Sequence, residues 1–384
     1  MSKKLLAMAV AAAVLAPAAA SADAKLYGIV QAEYNVEDVD GTGQDSQQAV
    51  DDDGNRSRLG VKFSEKLGGG LTAFGKLEWS FDPSNGQGSS GAASAGAFGS
   101  RDQFVGIKSS WGAISAGSHH APYKTAGGVK WDPWTATHLQ ARRAGGMSGG
   151  TGIGGHNGFM RNSIYYTSPK VNGFLVQFAI SPDETNSGAN NGSGNGIDST
   201  DDGDNDYSIA LQYKNGPWHA LVAHNRNNVG SNDGNGDDET LSKVGLRWKS
   251  GPWTLAGQYE VIDDGQASAG GNNVGGRSRF AGCNGCDSDI LWLNAQYKAG
   301  NNIFTVSYGN TDVDVPSGGS GGAVDDYDHN YFAIGVIHKF SKKTRIFAGY
   351  TETDGDDDAP GASGMRQSGQ EDRDAFTVGI RKDF

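Results

Sequence analysis

The chain has 384 residues, of which 36% are hydrophobic and 60 are glycine, and its mean hydropathy is -0.51. A soluble domain of this length ordinarily buries a larger apolar core, whereas a disordered chain would have few aromatic residues, and here 9% are aromatic. The formal net charge of -12, from 44 acidic and 32 basic residues, argues against nucleic acid as a partner.

Residues 1–24 predict a secretory signal peptide. Two lysines precede an apolar run from Leu5 to Leu15, which is too short to span a bilayer, and small residues follow it. Ala22-Asp23-Ala24 fits the cleavage pattern and would leave Lys25 first, and cleavage after Ala22 fits nearly as well. No later segment has the ~20 apolar residues of a membrane-spanning helix. The mature chain is therefore either soluble and secreted or a closed barrel, in which every backbone group is also satisfied in lipid.

Alternating apolar and polar residues predict sixteen strands and hence an all-β fold. The predicted strands are 25–36, 56–66, 71–81, 101–109, 112–119, 161–168, 173–181, 206–214, 217–225, 240–249, 252–261, 289–298, 301–309, 329–340, 343–351 and 374–384. Short and long connections alternate, and both chain ends lie on the short-turn side. This asymmetry is typical of transmembrane antiparallel β-barrels with short periplasmic turns and long extracellular loops, whereas a soluble β-sandwich has no reason to keep it.

Three short turns repeat one pattern: an aromatic residue, a lysine, a small polar residue or alanine, and a glycine. They are Tyr213-Lys214-Asn215-Gly216, Trp248-Lys249-Ser250-Gly251 and Tyr297-Lys298-Ala299-Gly300. The glycine provides the backbone freedom of a tight turn. We expect the aromatic ring to lie at the membrane interface, with the lysine beside it extending to lipid headgroups or water.

Several segments resemble those of the Gram-negative general porins. Asn162-Ser-Ile-Tyr-Tyr-Thr-Ser-Pro169 resembles their NSxxYxSP segment, which lies on the strand after the constriction loop. Phe340-Ser-Lys-Lys-Thr-Arg-Ile-Phe-Ala-Gly-Tyr350 resembles a late SKRTxxYxxY hairpin. Further matches are Leu26-Tyr27-Gly28 in the opening strand, Phe104-Val-Gly-Ile-Lys108 with Trp111-Gly112 in an early hairpin, and the terminal Phe384. In this order the matches cover essentially the whole mature chain, 25–384.

The resemblance implies a homotrimer of sixteen-stranded barrels in the outer membrane, through which ions and small hydrophilic solutes pass by passive diffusion. The implied partners are outer-membrane lipid, lipopolysaccharide and the barrel-assembly machinery. Phe384 corresponds to the family's assembly signal. The chain departs from that signal two residues earlier, where Lys382 stands in place of an apolar residue.

The longest connection, residues 120–160, corresponds to the family's third loop, which folds into the lumen and narrows it. Loops of this length without structure of their own are usually functional or disordered. Its charged residues are Lys124, Lys130, Arg142 and Arg143 against Asp132 alone. The family's loop commonly presents carboxylates, so the usual arrangement of acids facing arginines is not expected here. His119 and His120 lie at the start of the loop, and we expect a pore-lining or structural role for them rather than metal binding.

Strand alternation predicts which charged residues face the lumen. With Leu59, Val61 and Phe63 toward lipid, Arg58 and Lys62 face inward. The same counting turns inward Glu33, Lys76, Glu78, Arg161, Lys243, Arg247, Glu260, Arg345 and Arg381. Basic residues outnumber acids, which predicts a lumen of positive potential that favours anions. The alternative is that arginines pair with loop carboxylates and leave weak selectivity.

The long loops are acidic and contain both cysteines. Acid clusters at 37–53, 201–206, 237–239, 354–358 and 371–374 are interpreted as solvated loops or, alternatively, as binding sites for divalent cations. Because the chain is exported, Cys283 and Cys286 are expected to form a local disulfide. Two cysteines without further ligands do not predict a zinc site, and no cofactor or metal is expected.

The sequence favours a diffusion channel over an enzyme. It has no Gly-x-Ser-x-Gly motif, and its histidines have no evident catalytic partners. Three alternatives remain: a porin selective for anions or carbohydrates, an adhesin or receptor barrel that acts through its loops, and an outer-membrane hydrolase.

Overall fold

A computed structural model describes residues 23–39, 46–52, 57–84, 99–143, 146–148, 158–182, 205–227, 238–265, 286–314, 326–355 and 372–384. Helical structure in these ranges is limited to the one-turn helix α1 (Pro122–Thr125) and two 3-10 turns (Gly128–Lys130 and Ala141–Arg143). None of these described helices is long and apolar enough to cross a membrane.

Strands make up most of the described chain. They are β1 (Asp23–Val39), β2 (Gln47–Asp51), β3 (Arg58–Gly68), β4 (Leu71–Ser80), β5 (Gly99–Ser109), β6 (Gly112–His120), β7 (Phe159–Thr167), β8 (Phe174–Ser181), β9 (Asp206–Asn215), β10 (Trp218–Asn227), β11 (Glu239–Ser250), β12 (Trp253–Gly265), β13 (Cys286–Ala299), β14 (Asn302–Asp314), β15 (Tyr327–Lys339), β16 (Thr344–Gly355) and β17 (Arg373–Asp383).

The strands form one closed antiparallel barrel. Each strand from β3 onward pairs with the next, and β17 returns to β1 from Ile29↔Asp383 to Val39↔Arg373. β2 and β3 both pair with β1, at its two ends, so they occupy one position in the barrel. Seventeen strands therefore fill sixteen positions. The predicted sixteen-stranded all-β barrel is confirmed.

Several described strands extend beyond their predicted bounds, as β14 does to Asp314, but the number of strands differs from the prediction at the second position. The sequence predicts a single strand at 56–66, whereas β2 lies within the segment interpreted as an acidic loop. The reason is the length of β1, which has 17 residues. Its second half would have unpaired backbone groups on one side, and β2 pairs with Glu33 to Glu37 there.

Side chains alternate between the lipid-facing surface and the lumen as predicted. In β9, Ile209 and Leu211 are exposed on the outside, whereas Ser208 and Gln212 are buried on the inside. Lys214 has the same parity as Gln212, so it projects toward the lumen at the short-turn end and is exposed there, which fits the second of the two expected surroundings, water rather than lipid headgroups. The turn glycines that follow such lysines, among them Gly216 and Gly300, have positive φ values of 51° and 59°.

Candidate functional site

The described part of the third loop, residues 121–143 and 146–148, packs inside the barrel. The side chains of Tyr123, Trp134 and Leu139 are fully buried, and Met147 is nearly so. They form one apolar cluster with inward-facing wall residues. The wall residues of this cluster include Leu221, Ala223, Leu241, Ala256, Ile262, Ile290, Trp292, Tyr331, Ala333, Ile337 and Phe347, which lie on β10–β13, β15 and β16. These strands therefore have an apolar patch on their lumen side, and the loop covers it.

Buried polar contacts fix the loop on this patch. Glu260 of β12 accepts a hydrogen bond of 2.7 Å from the Tyr123 hydroxyl, and it also accepts from the Ser148 backbone N–H at 3.2 Å. The side-chain oxygen of Gln258 accepts a 2.7 Å hydrogen bond from the Gly128 backbone. A buried carboxylate needs such donors, because an unpaired charge in this setting would be costly. Glu260, predicted to face the lumen, thus holds the loop.

The loop also contacts β17 and β1, the strands that follow β16 around the barrel. The Gln31 side-chain amide donates 2.6 Å to the Ala136 carbonyl oxygen, and the His138 backbone N–H donates 3.2 Å to Glu33. The His138 ring lies 3.3 Å from Glu37 and contacts Arg373, which also pairs with Glu37. At its other end the loop is bonded to β9 through Ser208, at 3.0 Å from the Tyr123 nitrogen. The described loop therefore follows the inner wall from β9 round to β1.

Two wall glycines allow this close approach. A Cβ atom on Gly309 would lie 2.4 Å from the Gly146 Cα of the loop. A Cβ atom on Gly335 would lie 2.9 Å from the Trp134 ring and 2.3 Å from a neighbouring backbone oxygen. A side chain at either place would collide with the loop or the backbone. The absence of a Cβ atom at these two glycines therefore allows the loop to lie this close to the wall.

The loop's charged residues have different roles. The Lys124 ammonium lies 4.8 Å above the Phe159 ring, and burial, with repulsion from Arg142, holds its pKa well below the usual value. Asp132 accepts hydrogen bonds from the backbone N–H groups of Trp134 at 2.9 Å and Ala141 at 3.2 Å, and burial raises its pKa to about 6. Asp132 is thus bonded to the loop's own turns.

The other cations of the loop are Arg142, Lys130 and Arg143. Burial lowers the pKa of Arg142 to about 10, although Asp132 opposes this shift. Lys130 is exposed on the loop surface. The side chain of Arg143 lies outside the described residues, as does the part of the loop at 149–157.

A second charged cluster lies on β3–β6. Glu78 pairs with Arg58 at 3.3 Å, Lys76 at 3.0 Å and Arg101 at 2.7 Å, and it accepts a 2.6 Å hydrogen bond from the Tyr27 hydroxyl. This cluster brings together Arg58, Lys76 and Glu78, which strand alternation predicted to face the lumen.

Strand alternation missed two members of this cluster. Asp102 binds Lys76 at 2.5 Å and His120 at 2.6 Å, and Arg101 is adjacent to it in sequence. The register between β4 and β5 shifts between Leu77 and Trp79. The resulting bulge lets both Arg101 and Asp102 face inward, so counting by twos cannot predict them.

The other predicted lining residues are spread over the wall. The Lys62 ammonium lies 4.5 Å from the Tyr27 ring centre, and that of Lys243 lies 4.1 Å from the Tyr123 ring centre beneath the loop. The Arg247 guanidinium lies 5.5 Å from the Trp131 ring centre. Arg161, Arg345 and Arg381 are partly buried.

His119 and Phe384 have clear structural contacts. The His119 ring lies 2.9 Å from both Ser115 and Ser163 and stacks on Phe104. The Phe384 backbone exchanges hydrogen bonds with Gly28 at 3.0 and 3.4 Å. Its ring occupies the space where a Gly28 Cβ atom would be, 2.1 Å from the nearest ring carbon.

The two side chains of the predicted disulfide lie outside the described residues. Cys283 lies outside the described residues, and Cys286 begins β13 with its side chain outside them. Among the described side chains, no group of three or more His, Cys, Asp and Glu residues is placed to hold a metal ion.

Comparison with known proteins identifies the family. A family model described as Gram-negative porin matches residues 7–358. An outer membrane porin protein of Bordetella pertussis is 27% identical over 380 residues, covering 91% of this chain and 93% of that protein. The major outer membrane protein P.IB of Neisseria gonorrhoeae is 30% identical over 232 residues, which cover 58% of this chain and only 56% of that protein.

A solved structure, the anion-selective porin from Comamonas acidovorans, has the same fold. Its TM-score is 0.70 at 21% identity, and the match covers 95% of this chain and 100% of that one. The family match extends over most of the chain, and the described strands close into a barrel of the size found in such proteins. The chain therefore belongs to the Gram-negative porins of the outer membrane.

Proposed function

We propose that the protein is a water-filled channel through which ions and small hydrophilic solutes diffuse across the outer membrane. The observation that carries the proposal is a lumen in which the loop packs against the wall from β9 to β1, while the charged side chains of the β3–β6 cluster face the remaining space. Catalysis needs a nucleophile or acid–base group that converges on a substrate site, and family membership favours a channel instead.

Conductance of the purified protein in planar bilayers tests this proposal. A diffusion channel gives large stepwise openings whose size scales with salt concentration. An adhesin, receptor or hydrolase barrel with a blocked lumen would give no such steps, and that result would refute the proposal.

We further propose that the loop 120–160 and the β3–β6 cluster form the constriction, and that it favours anions. Arg58, Lys62, Lys76 and Arg101 present four positive charges there, against the two carboxylates of Glu78 and Asp102. Charges beside a narrow aqueous path between low-dielectric walls change local ion concentrations strongly. The fold-level relative from Comamonas acidovorans is described as anion-selective, in agreement with this proposal.

Reversal potentials across a salt gradient test the charge preference. We expect a reversal potential whose sign shows that chloride permeates more readily than the cation. A clear cation preference would refute the proposed anion preference. Liposome swelling with sugars, amino acids and organic acids distinguishes general diffusion from a solute-selective porin. A selective porin would favour one class at equal solute size.

The assembly and processing of the chain belong to the same proposal. Family membership supports a homotrimer, inserted by the barrel-assembly machinery among outer-membrane lipid and lipopolysaccharide after removal of residues 1–24. The Cys283–Cys286 disulfide stays a prediction. Alkylation with and without reductant tests it, and free thiols in the native protein would contradict it.

A further inference from the structure

Three inward-facing cations lie side by side at the short-turn mouth of the barrel. The register places Lys339 opposite Arg345, and Arg345 opposite Arg381, on the consecutive strands β15, β16 and β17. Side chains directly opposite each other on neighbouring strands have Cβ atoms about 5 Å apart, and like charges in that relation are destabilising. We define Lys339, Arg345 and Arg381 as the cation row.

The parity of neighbouring residues shows that the cation row faces the lumen. Phe347, two residues beyond Arg345, is buried against the loop, whereas Ile346 between them is exposed toward lipid. Ile380 is likewise exposed on the outside next to Arg381. The row is therefore accessible from water inside the barrel. Only β1 lies between it and the β3–β6 cluster, and the positive charge of Arg381 acts on Arg58 of that cluster.

The cation row has unused hydrogen-bonding capacity. Arg345 makes no hydrogen bond or ion pair with any residue that the structure describes, and its buried Nε atom has no acceptor. Arg381 uses Nε and one terminal nitrogen to bind Asp383 at 2.7 and 3.2 Å, but its other terminal nitrogen is buried without an acceptor. These donors are therefore available to water or to an anion that enters the barrel.

The charges define the ligand that would fit. Three cations and the single carboxylate of Asp383 leave two net positive charges at the row. Lys249 and Lys298 of the same mouth add to the positive field at Lys339. Guanidinium groups match tetrahedral oxyanions geometrically, because their planar donors bind two oxygens at once.

We propose that the cation row binds a doubly charged phosphate group, either inorganic phosphate or a phosphomonoester. This inference rests on the proposed channel, since the site opens on its lumen. Such a site would hold phosphate-bearing solutes at the short-turn mouth, beside the β3–β6 cluster, and bound phosphate would exclude chloride from the same side chains.

The test is a calorimetric titration of inorganic phosphate into the purified, detergent-solubilised protein at constant chloride. Saturable binding is expected for the wild type, with Arg345→Gln weakening it about ten-fold through loss of charge-assisted hydrogen bonds. Glucose 6-phosphate should bind similarly if the phosphate group alone is recognised. Lys339→Gln is the second variant, and a clear loss of affinity is expected there also.

Lys214→Gln is the matched control, because it removes one inward-facing charge from the same mouth on the far wall of the barrel. It should keep wild-type phosphate affinity within about two-fold. Equal weakening by Lys214→Gln and Arg345→Gln would overturn the proposal in favour of a diffuse field, as would absence of saturable binding by the wild type. Each variant's chloride conductance is recorded in parallel. Normal conductance without phosphate binding refutes only the site, whereas absent wild-type conductance refutes the channel.

Discussion

The hydroxyl group of Tyr331 on β15 donates a 2.6 Å hydrogen bond to the carbonyl oxygen of Leu139 in the loop. Both residues are fully buried, and 192 positions separate them in the chain. This contact joins the wall to the loop that packs against it inside the barrel. It is one of the few places where a single atom can be removed to loosen the loop without changing packing.

Tyr331→Phe should make the loop more mobile. The change removes one hydrogen bond and leaves a buried carbonyl oxygen unsatisfied, at a cost of about 1–3 kcal/mol. We expect more current fluctuation in single-channel recordings and closure at lower voltage. Tyr308→Phe is the control, since the Tyr308 hydroxyl binds Asn330 on the exposed outer surface. Equal behaviour of the two variants would contradict this role for Tyr331.

Gly309→Ala should displace the loop. The new Cβ atom would lie 2.4 Å from the Gly146 Cα atom, and overpacking of this kind typically costs about 1–3 kcal/mol. A changed unitary conductance and a lower apparent melting temperature are expected. Gly257→Ala is the comparison, because its Cβ atom meets only the end of the Leu293 side chain, at 2.9 Å. An unchanged conductance in Gly309→Ala would show that the loop does not pack there.

Glu78→Gln should increase anion preference. The substitution removes a negative charge that pairs with Arg58, Lys76 and Arg101, so the positive charge of the lumen rises. The reversal potential in a potassium chloride gradient should move toward that of chloride. Glu352→Gln, an exposed residue on the outer surface, should leave the potential unchanged. A shift of the reversal potential of Glu78→Gln toward that of potassium would show that ions do not pass this cluster.

Asp132 should make loop stability depend on pH. Burial raises its folded-state pKa to about 6, above the value of an unfolded chain. Its contribution to stability is therefore fully present below about pH 4 and is lost as the pH rises through about 6. Between pH 5 and 7.5 we expect a loss of about 1–2 kcal/mol from this residue.

The measurement for Asp132 is the apparent melting temperature at several pH values. The wild type should lose more stability than Asp132→Asn as pH rises across that range, and the difference between the two removes the contribution of other titrating groups. Parallel pH profiles for the two proteins would rule out titration of Asp132 near pH 6.

Deletion of Phe384 should reduce insertion into the outer membrane. The residue closes the barrel through two backbone hydrogen bonds with Gly28, and its ring fills the space above that glycine. We expect a lower yield of the heat-modifiable folded form. Phe340→Ala, a change of another exposed phenylalanine at the short-turn end, is the control. Normal yield without Phe384 would contradict its assembly role.

Alternation in the sequence was enough to predict the barrel. Successive side chains of a barrel strand point alternately to lipid and to the lumen, and this alternation is visible in the sequence. Predicted segments such as 206–214 and 217–225 therefore matched β9 and β10 closely. The same counting failed at Arg101 and Asp102, because a bulge changes the parity of one strand and leaves no mark in hydrophobicity.

The family resemblance implied a loop folded into the lumen, but the sequence did not predict which strands it covers, although one signal was available. Ile290-Leu291-Trp292-Leu293 is apolar on both faces, which is unexpected for a wall that borders water. Trp292 is fully buried in the cluster beneath the loop. Runs of this kind predict a covered part of the inner wall. The contact between His138 of the loop and Glu33 of β1 depends on how the barrel closes, so the spacing of residues in the sequence does not predict it.

The loop covers one side of the barrel and leaves the other side uncovered. A change to the covered strands must preserve a dry, tightly packed contact, so few substitutions are tolerated there. The uncovered strands β3–β6 have no such packing requirement, and their constraint is one of charge: Glu78 and Asp102 are best changed together with the cations that they bind. Any redesign of what this pore admits, for sensing or for delivery, should therefore begin on β3–β6.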